Sequence, residues 1–176
     1  MHTRDTPGGG KRHVWRPLAD ADANAVAAIA AQIHPSLPER TAVLAEKWRL
    51  FPPGCRTLVD GEGGTAGYTL AHPWTLTAPP ALDQFLHRLP AAADCLFIHD
   101  VALLPEARGR GAAAQVIDHA VAVAVAHRLP ALALIAAYGT ERLWRRFGFV
   151  DVGGADLALK IAAYGAEARY LTRSVG

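Results

Sequence analysis

Residues 103–114, Leu-Leu-Pro-Glu-Ala-Arg-Gly-Arg-Gly-Ala-Ala-Ala, carry the most specific chemical signal in this chain. They follow an apolar strand-like run and precede a long apolar segment of helical period. Small residues in that place let backbone N–H groups approach a ligand, and a helix N-terminus adds partial positive charge. Together they predict a pyrophosphate site, with Arg108 and Arg110 able to add charge-assisted contacts to phosphate oxygens. No Gly-Lys-Ser/Thr follows, so this is not a Walker loop. With Ala114 in last place and no acidic residue suitably placed after the next strand, it is not the Gly-x-Gly-x-x-Gly dinucleotide pattern either.

Histidines are the other reactive candidates, because they titrate near neutral pH. His99 lies in Phe97-Ile98-His99-Asp100-Val101-Ala102, on the strand before the loop. Strand alternation predicts that Asp100 faces away from His99 and does not orient it; Asp100 could attract a cationic substrate instead. His72, in His72-Pro73-Trp74, reads as a turn histidine or, with Trp74, as lining for an amine or aromatic pocket. His34, in Ile33-His34-Pro35-Ser36, reads as a loop residue or the edge of a substrate mouth. His119 shares a polar helix face with Gln115 and Asp118 and is expected in solvent.

The elements that must position these groups come from the periodicity. A strand is expected at 14–18, a helix from Asp20 or Asp22 to about Ile33, and a second helix from Pro38 to Phe51 with Glu39 in its first turn. The second helix should bury Ala42, Val43, Ala45 and Leu50, while Trp48 faces core or ligand. Strands 55–59 and 65–71 flank the turn Asp60-Gly61-Glu62-Gly63-Gly64, a strong hairpin signal. Residues 72–94 hold Pro73, Pro79, Pro80 and Pro90 and read as a loop with one short helix near Leu82–Leu89. Then follow a strand at 95–104, a helix at 109–128, a buried strand at 132–137, a short helix at 140–147, a strand at 149–152, a helical stretch at 156–164 and a last strand at 169–173. A hairpin followed by strand–helix–strand–helix–strand predicts a mixed α/β sheet with a parallel portion.

Composition narrows the partners. The 176 residues suit one domain at 13–176 behind a polar, Gly-rich leader at 1–12, with 51% hydrophobic and 19% charged residues. A net charge of +2 without a basic stripe argues against nucleic acid. No stretch is long and apolar enough to read as a signal peptide or a membrane span, so a cytoplasmic protein is expected, monomer or homodimer. Cys55 and Cys95 form no metal-ligand pattern and read as buried free thiols; no metal site is expected. The 36 alanines read as helix filler, except Ala112, Ala113 and Ala114, where larger side chains would crowd the phosphates.

The run Arg108-x-x-Gly111-x-Ala113 after an extended strand resembles the acyl-CoA motif of the Gcn5-related N-acetyltransferases. Trp144-Arg145-Arg146-Phe147-Gly148-Phe149 resembles that family's second landmark, aromatic-x-x-apolar-Gly-Phe, and the likeness spans about residues 14–175. It implies an acyl-CoA N-acyltransferase fold, a central twisted mixed sheet with splayed strands flanked by helices. It implies acetyl-CoA as cosubstrate, with Val101, Ala102 and Leu103 pairing with the pantetheine arm and Gly109, Arg110, Gly111, Ala112, Ala113 and Ala114, with Arg108, holding the pyrophosphate. The segment around His99 is most similar to arylalkylamine- and polyamine-type members, which makes His99 the expected base, acting through water. Trp144 replaces the tyrosine that usually protonates the thiolate, and Ala137 replaces a frequent asparagine. Either Tyr138 or Tyr164 is then the expected acid, or CoA leaves as a thiolate that water protonates. The resemblance implies acetyl transfer to the primary amine of a small molecule, with His72, Trp74 and Asp100 on the acceptor side. The rivals are a protein or peptide N-terminal acetyltransferase, a non-catalytic acyl-CoA sensor, and a dimerisation scaffold on the same fold.

Overall fold

The turn at 60–64 closes as its composition predicts. The Asp60 carboxylate accepts the N–H groups of Glu62 and Gly64, and Gly63 takes a left-handed φ of +85°. It joins β2 (Arg56–Val59) to β3 (Thr65–Trp74) in the computed structural model, which describes residues 12–176. Residues 1–11 of the expected leader lie outside the described residues. β1 (Val14–Pro17), β4 (Cys95–Leu103), β5 (Ala131–Ala136), β6 (Val150–Asp151) and β7 (Arg169–Ser174) complete a seven-stranded sheet in the order β1-β2-β3-β4-β5-β7-β6. Only β4 and β5 run parallel, so the sheet is mixed as expected.

Helices cover both faces. α1 (Ala23–Ile33) and α2 (Thr41–Leu50) bury Val26, Ile29, Leu44, Ala45 and Trp48 against Tyr68, Leu70 and Ala102. α3 (Ala112–Ala126) and α4 (Glu141–Arg145) pack Ile117, Ala120, Ala124 and Trp144 on Leu96, Ile98, Leu132 and Leu134. α5 (Ala155–Lys160) sits on Phe97, Ala133 and Tyr170. Cys55 and Cys95 are buried free thiols, each pushed up to about 12 by burial. No helix of the described residues is long and apolar enough to cross a membrane.

Several expected boundaries move, each for a tertiary reason. α2 begins at Thr41, not Pro38, because Arg40 is extended (ψ 138°) and gives its N–H to the Asp83 carboxylate. Its buried set is Val43, Leu44, Ala45, Lys47 and Trp48, whereas Ala42 is exposed. Asp22 does not cap α1; its carboxylate pairs with Arg16 and takes the Ala19 N–H. β3 continues through Pro73, where β2 has already ended opposite Thr69 and a missing N–H breaks no ladder with it.

The helix expected near Leu82–Leu89 does not form. Residues 75–94 are instead an irregular strap with left-handed φ at Thr77, Asp83 and His87. Three of its amides serve α2 and the segment before it: the Asp83 N–H goes to Glu39, and those of Leu86 and His87 go to Glu46. The strap is also tied to the other side of the molecule. Tyr164 donates its hydroxyl to Pro80 O (3.1 Å), and Lys160 reaches Thr77 O (3.2 Å).

One irregularity decides the site. Ala71 pairs with Ile98 and Leu70 with Asp100, so His99 is an extra residue bulged out of β4. Before it, Cys95 and Phe97 face the α5 side; after it, Asp100 binds groups on the α1 side and Ala102 packs there. The bulge overrides simple alternation. His99 and Asp100 both reach partners from the α1–α2 region.

Candidate active site

β4 and β5 pair over only three residues, Leu96↔Leu132, Phe97↔Ala133 and Ile98↔Leu134. Beyond Ile98, residues 99–103 of β4 keep β3 on one side and have no described strand on the other. The gap opens into a cleft of about 440 Å³. Val101 and Leu103 line one wall, Ile135 and Ala137 the other, and Arg108 and Ala113 lie at the loop end.

The loop end is built for close approach. Gly109 (φ +71°) and Gly111 (φ +78°) are left-handed, a conformation L side chains rarely adopt. The first bond of α3 runs from Gln115 N–H to Gly111 O, so the amides of Ala112, Ala113 and Ala114 have no intrahelical acceptor. Arg108 is exposed and anchored by its Nε to Leu103 O (3.0 Å). Loop, free strand edge and helix end are therefore continuous.

At the other end lie two histidine–carboxylate pairs, both reaching across the fold. His99 Nε2 donates to Glu39 Oε1 at 2.9 Å, and its side chain is 2% exposed. Behind Glu39 stands Lys47, fully buried, 4.0 Å away and bonded to Val43 O. Burial alone would push the Glu39 carboxyl up, but His99, Lys47 and the Asp83 amide hold it down at about 2. His34, at the C-terminal end of α1, bonds Asp100 Oδ1 at 2.8 Å, while Tyr68 donates its hydroxyl to Asp100 Oδ2. Burial pulls the His34 imidazole down, yet Asp100, with Glu39 farther off, more than compensates and it titrates above its ordinary value.

A depressed carboxyl links stability to pH. Glu39 stabilises the fold fully above its ordinary value of 4.5, and that stabilisation is lost as pH falls toward about 2. Glu39→Gln should therefore be less stable than the unmodified chain at pH 7, with the difference shrinking below pH 4.5 and closing near pH 2. Urea midpoints across that range measure it.

A family model described as "Acetyltransferase (GNAT) family" matches residues 23–149, which include the strap, the split strands and the glycine loop. The chain belongs to the GNAT acetyltransferase family. No curated protein matches it in sequence. Among solved structures, the GNAT chain is similar to Ard1 from Thermoplasma volcanium (14% identity, TM-score 0.69, 93% of this chain and 98% of that one). It is similar to Rv2747 from Mycobacterium tuberculosis in complex with CoA (15%, TM-score 0.69, 93% and 99%). It is also similar to the loading GNATL domain of CurA from Lyngbya majuscula (9%, TM-score 0.74, 93% and 98%). Identities this low speak for the fold alone.

Within this GNAT fold, the cleft gathers His99, Asp100, Val101, Leu103, Arg108, Ala113 and Tyr138 from the residues singled out in sequence. Others point elsewhere. Ala102 is fully buried toward α1 and α2, and Ala112 is buried against Leu58, Ala66 and Ala107, so only Ala113 of the three alanines lines the cleft. Gly109, Arg110, Gly111 and Ala114 lie on the loop and first helical turn beside it. His72 is fully buried, its ring against Trp74, Phe97 and His99, and burial above all pushes it down to about 3. Trp74 gives its indole N–H to Ala78 O at 2.6 Å. Neither His72 nor Trp74 lines the cleft. Trp48 is core, its indole tied to Asp20. His119 is half-buried rather than solvated, because Nε2 bonds Pro53 O at 2.8 Å.

Three polar partners went unread in sequence: Glu39, Lys47 and Tyr68. Pro38 before Glu39 marks a helix start, and nothing local marks the contact of Glu39 with a residue 60 positions away.

Proposed function

We propose that this chain is an acetyl-CoA-dependent N-acetyltransferase acting on the primary amine of a small molecule. The carrying observation is the strap at 75–94, tied to Arg40 and Glu39 on one side and to Lys160 and Tyr164 on the other. It brings Leu82 to the cleft beside Glu39 and His99. With the strap held on both sides there, the acceptor end suits a small amine better than an extended peptide. The domain that does this spans 13–176, and two buried free thiols fit a reducing compartment, the cytoplasm.

Acetyl-CoA is the cosubstrate of this family, and the cleft fits it. The unpaired edge of β4 at 99–103 offers main-chain groups to an amide-bearing arm, as Val101, Ala102 and Leu103 were expected to do. The amides at 109–114, with Arg108 and Arg110, suit a pyrophosphate. When bound, the cosubstrate supplies an acetyl group as a thioester.

His99 serves as the base. Glu39 holds Nε2–H, which leaves Nδ1 as the basic nitrogen, and among the described residues it has no hydrogen-bond partner. Because the ring is 2% exposed, water carries the proton from the acceptor ammonium to it. The first proton passes on to solvent, and the second is taken as the C–N bond forms. Asp100, which lines the cleft and accepts from His34 and Tyr68, stands on the acceptor side and has lone pairs left for a cationic amine. An arylalkylamine or a polyamine is the acceptor class this reading favours.

The test is acetyl-CoA consumption against arylalkylamines, polyamines, aminoglycosides and short peptides. Turnover with at least one small amine and none with peptides is expected. Turnover with peptides alone contradicts the reading, as does tight acetyl-CoA binding with no turnover, the behaviour of a sensor.

A further inference from the structure

Trp144 is buried and gives its indole N–H to Thr140 Oγ1 at 3.2 Å; indole is a negligible proton source. The departing sulfur needs another donor. Tyr164 already gives its hydroxyl to Pro80 O, and burial raises its phenol further. Tyr138 is 45% exposed, with its backbone left-handed at φ +54°. Its ring stacks on His34, with centroids 5.8 Å apart and planes 15° from parallel.

His34 therefore touches both walls of the split sheet. Asp100 holds it from β4, and Tyr138, two residues beyond the end of β5, holds it from the other side. It spans the gap that separates the two strands. Resting on the reading that the thioester lies in that gap, we propose that His34 is the catalytic acid that protonates the CoA sulfur.

The acceptor nitrogen bonds to the acetyl carbon, the C–S bond breaks, and its electron pair stays on sulfur. His34 Nε2 is committed to Asp100, so Nδ1–H gives the proton to sulfur and His34 becomes neutral. Its side chain is 23% exposed, so solvent returns the proton, while the proton lost by the new C–N nitrogen goes to His99. The groups facing His34 are Asp100 from β4, Tyr138 from the segment after β5, Glu39 from the segment before α2, and Tyr68 through Asp100. Asp100 and Glu39 favour the imidazolium, and that form is the one required to donate near neutral pH.

An imidazolium beside sulfur must also favour the thiolate of bound CoA, which can be read without an acceptor. The thiolate absorbance of CoA bound to the protein, taken against desulfo-CoA, is followed across pH for the unmodified chain, His34→Gln and Tyr138→Phe. Calorimetry with CoA establishes binding in each, and near-UV circular dichroism establishes the fold. Near neutral pH, where His34 carries its proton, the bound thiolate fraction should be about tenfold that of free CoA in the unmodified chain and in Tyr138→Phe, and return to the free value in His34→Gln. If CoA binds but its thiol titrates alike with and without His34, or if Tyr138→Phe alone removes the shift, the assignment of His34 is wrong and the cleft reading stands. If CoA does not bind the unmodified chain, both fall.

Discussion

His99→Ala should lower kcat by about a hundredfold or more, while acetyl-CoA affinity stays within about twofold of the unmodified chain. The split follows from where His99 sits. Its ring is held by Glu39 at the acceptor end of the cleft, whereas the groups suited to the cosubstrate lie at 101–114. A base lost without disturbing that edge removes proton transfer and little binding. Glu39→Gln should show a smaller loss, because the amide oxygen still accepts from Nε2–H but no longer favours the imidazolium that forms. Steady-state kinetics with calorimetry separate these terms. Equal losses in kcat and affinity would mean that His99 shapes the cleft rather than moving protons.

Arg108→Glu combined with Gly111→Asp should weaken CoA binding by about a thousandfold or more. A hydrogen bond from a charged group contributes roughly 1.5–3 kcal/mol, so reversing Arg108 and adding a carboxylate at the helix end removes about 4 kcal/mol. The fold should survive. Asp tolerates the left-handed backbone that Gly111 adopts better than most residues, a Cβ there meets no atom within 4 Å, and a carboxylate at a helix N-terminus is itself favourable. Lost affinity with a melting temperature lowered by only a few degrees is the expected pairing. Unchanged affinity would remove the loop from the cosubstrate site.

The loop was readable from sequence because its function is local. Two glycines, two arginines and a run of alanines at a strand–helix junction specify backbone geometry within a few residues, and α3 merely starts three residues later than the apolar pattern proposed. The hairpin and the mixed character of the sheet follow from the turn at 60–64 and the switch of period, whereas the strand order does not. The acid–base apparatus was not local. Glu39 meets His99 across 60 residues and His34 meets Asp100 across 66, so neither pairing leaves a mark in any window of sequence. The bulge at His99 hid the rest, because it turns two neighbouring side chains toward one side where alternation puts them on opposite sides. The strap misled for a related reason: Leu82–Leu89 has helical composition, but Glu39 and Glu46 take its amides.

That the cosubstrate lies along the split between β4 and β5 is tested most directly by amide hydrogen exchange with and without CoA. Exchange at 99–103 and 109–114 should slow by about tenfold or more when CoA is added, since these amides have no strand or helix partner on the cleft side. The β1–β2 edge should not change, and in the Arg108→Glu, Gly111→Asp chain the protection should vanish at the same CoA concentration. Protection confined to another part of the sheet, or none at saturating CoA, would contradict the placement of the cosubstrate in this cleft.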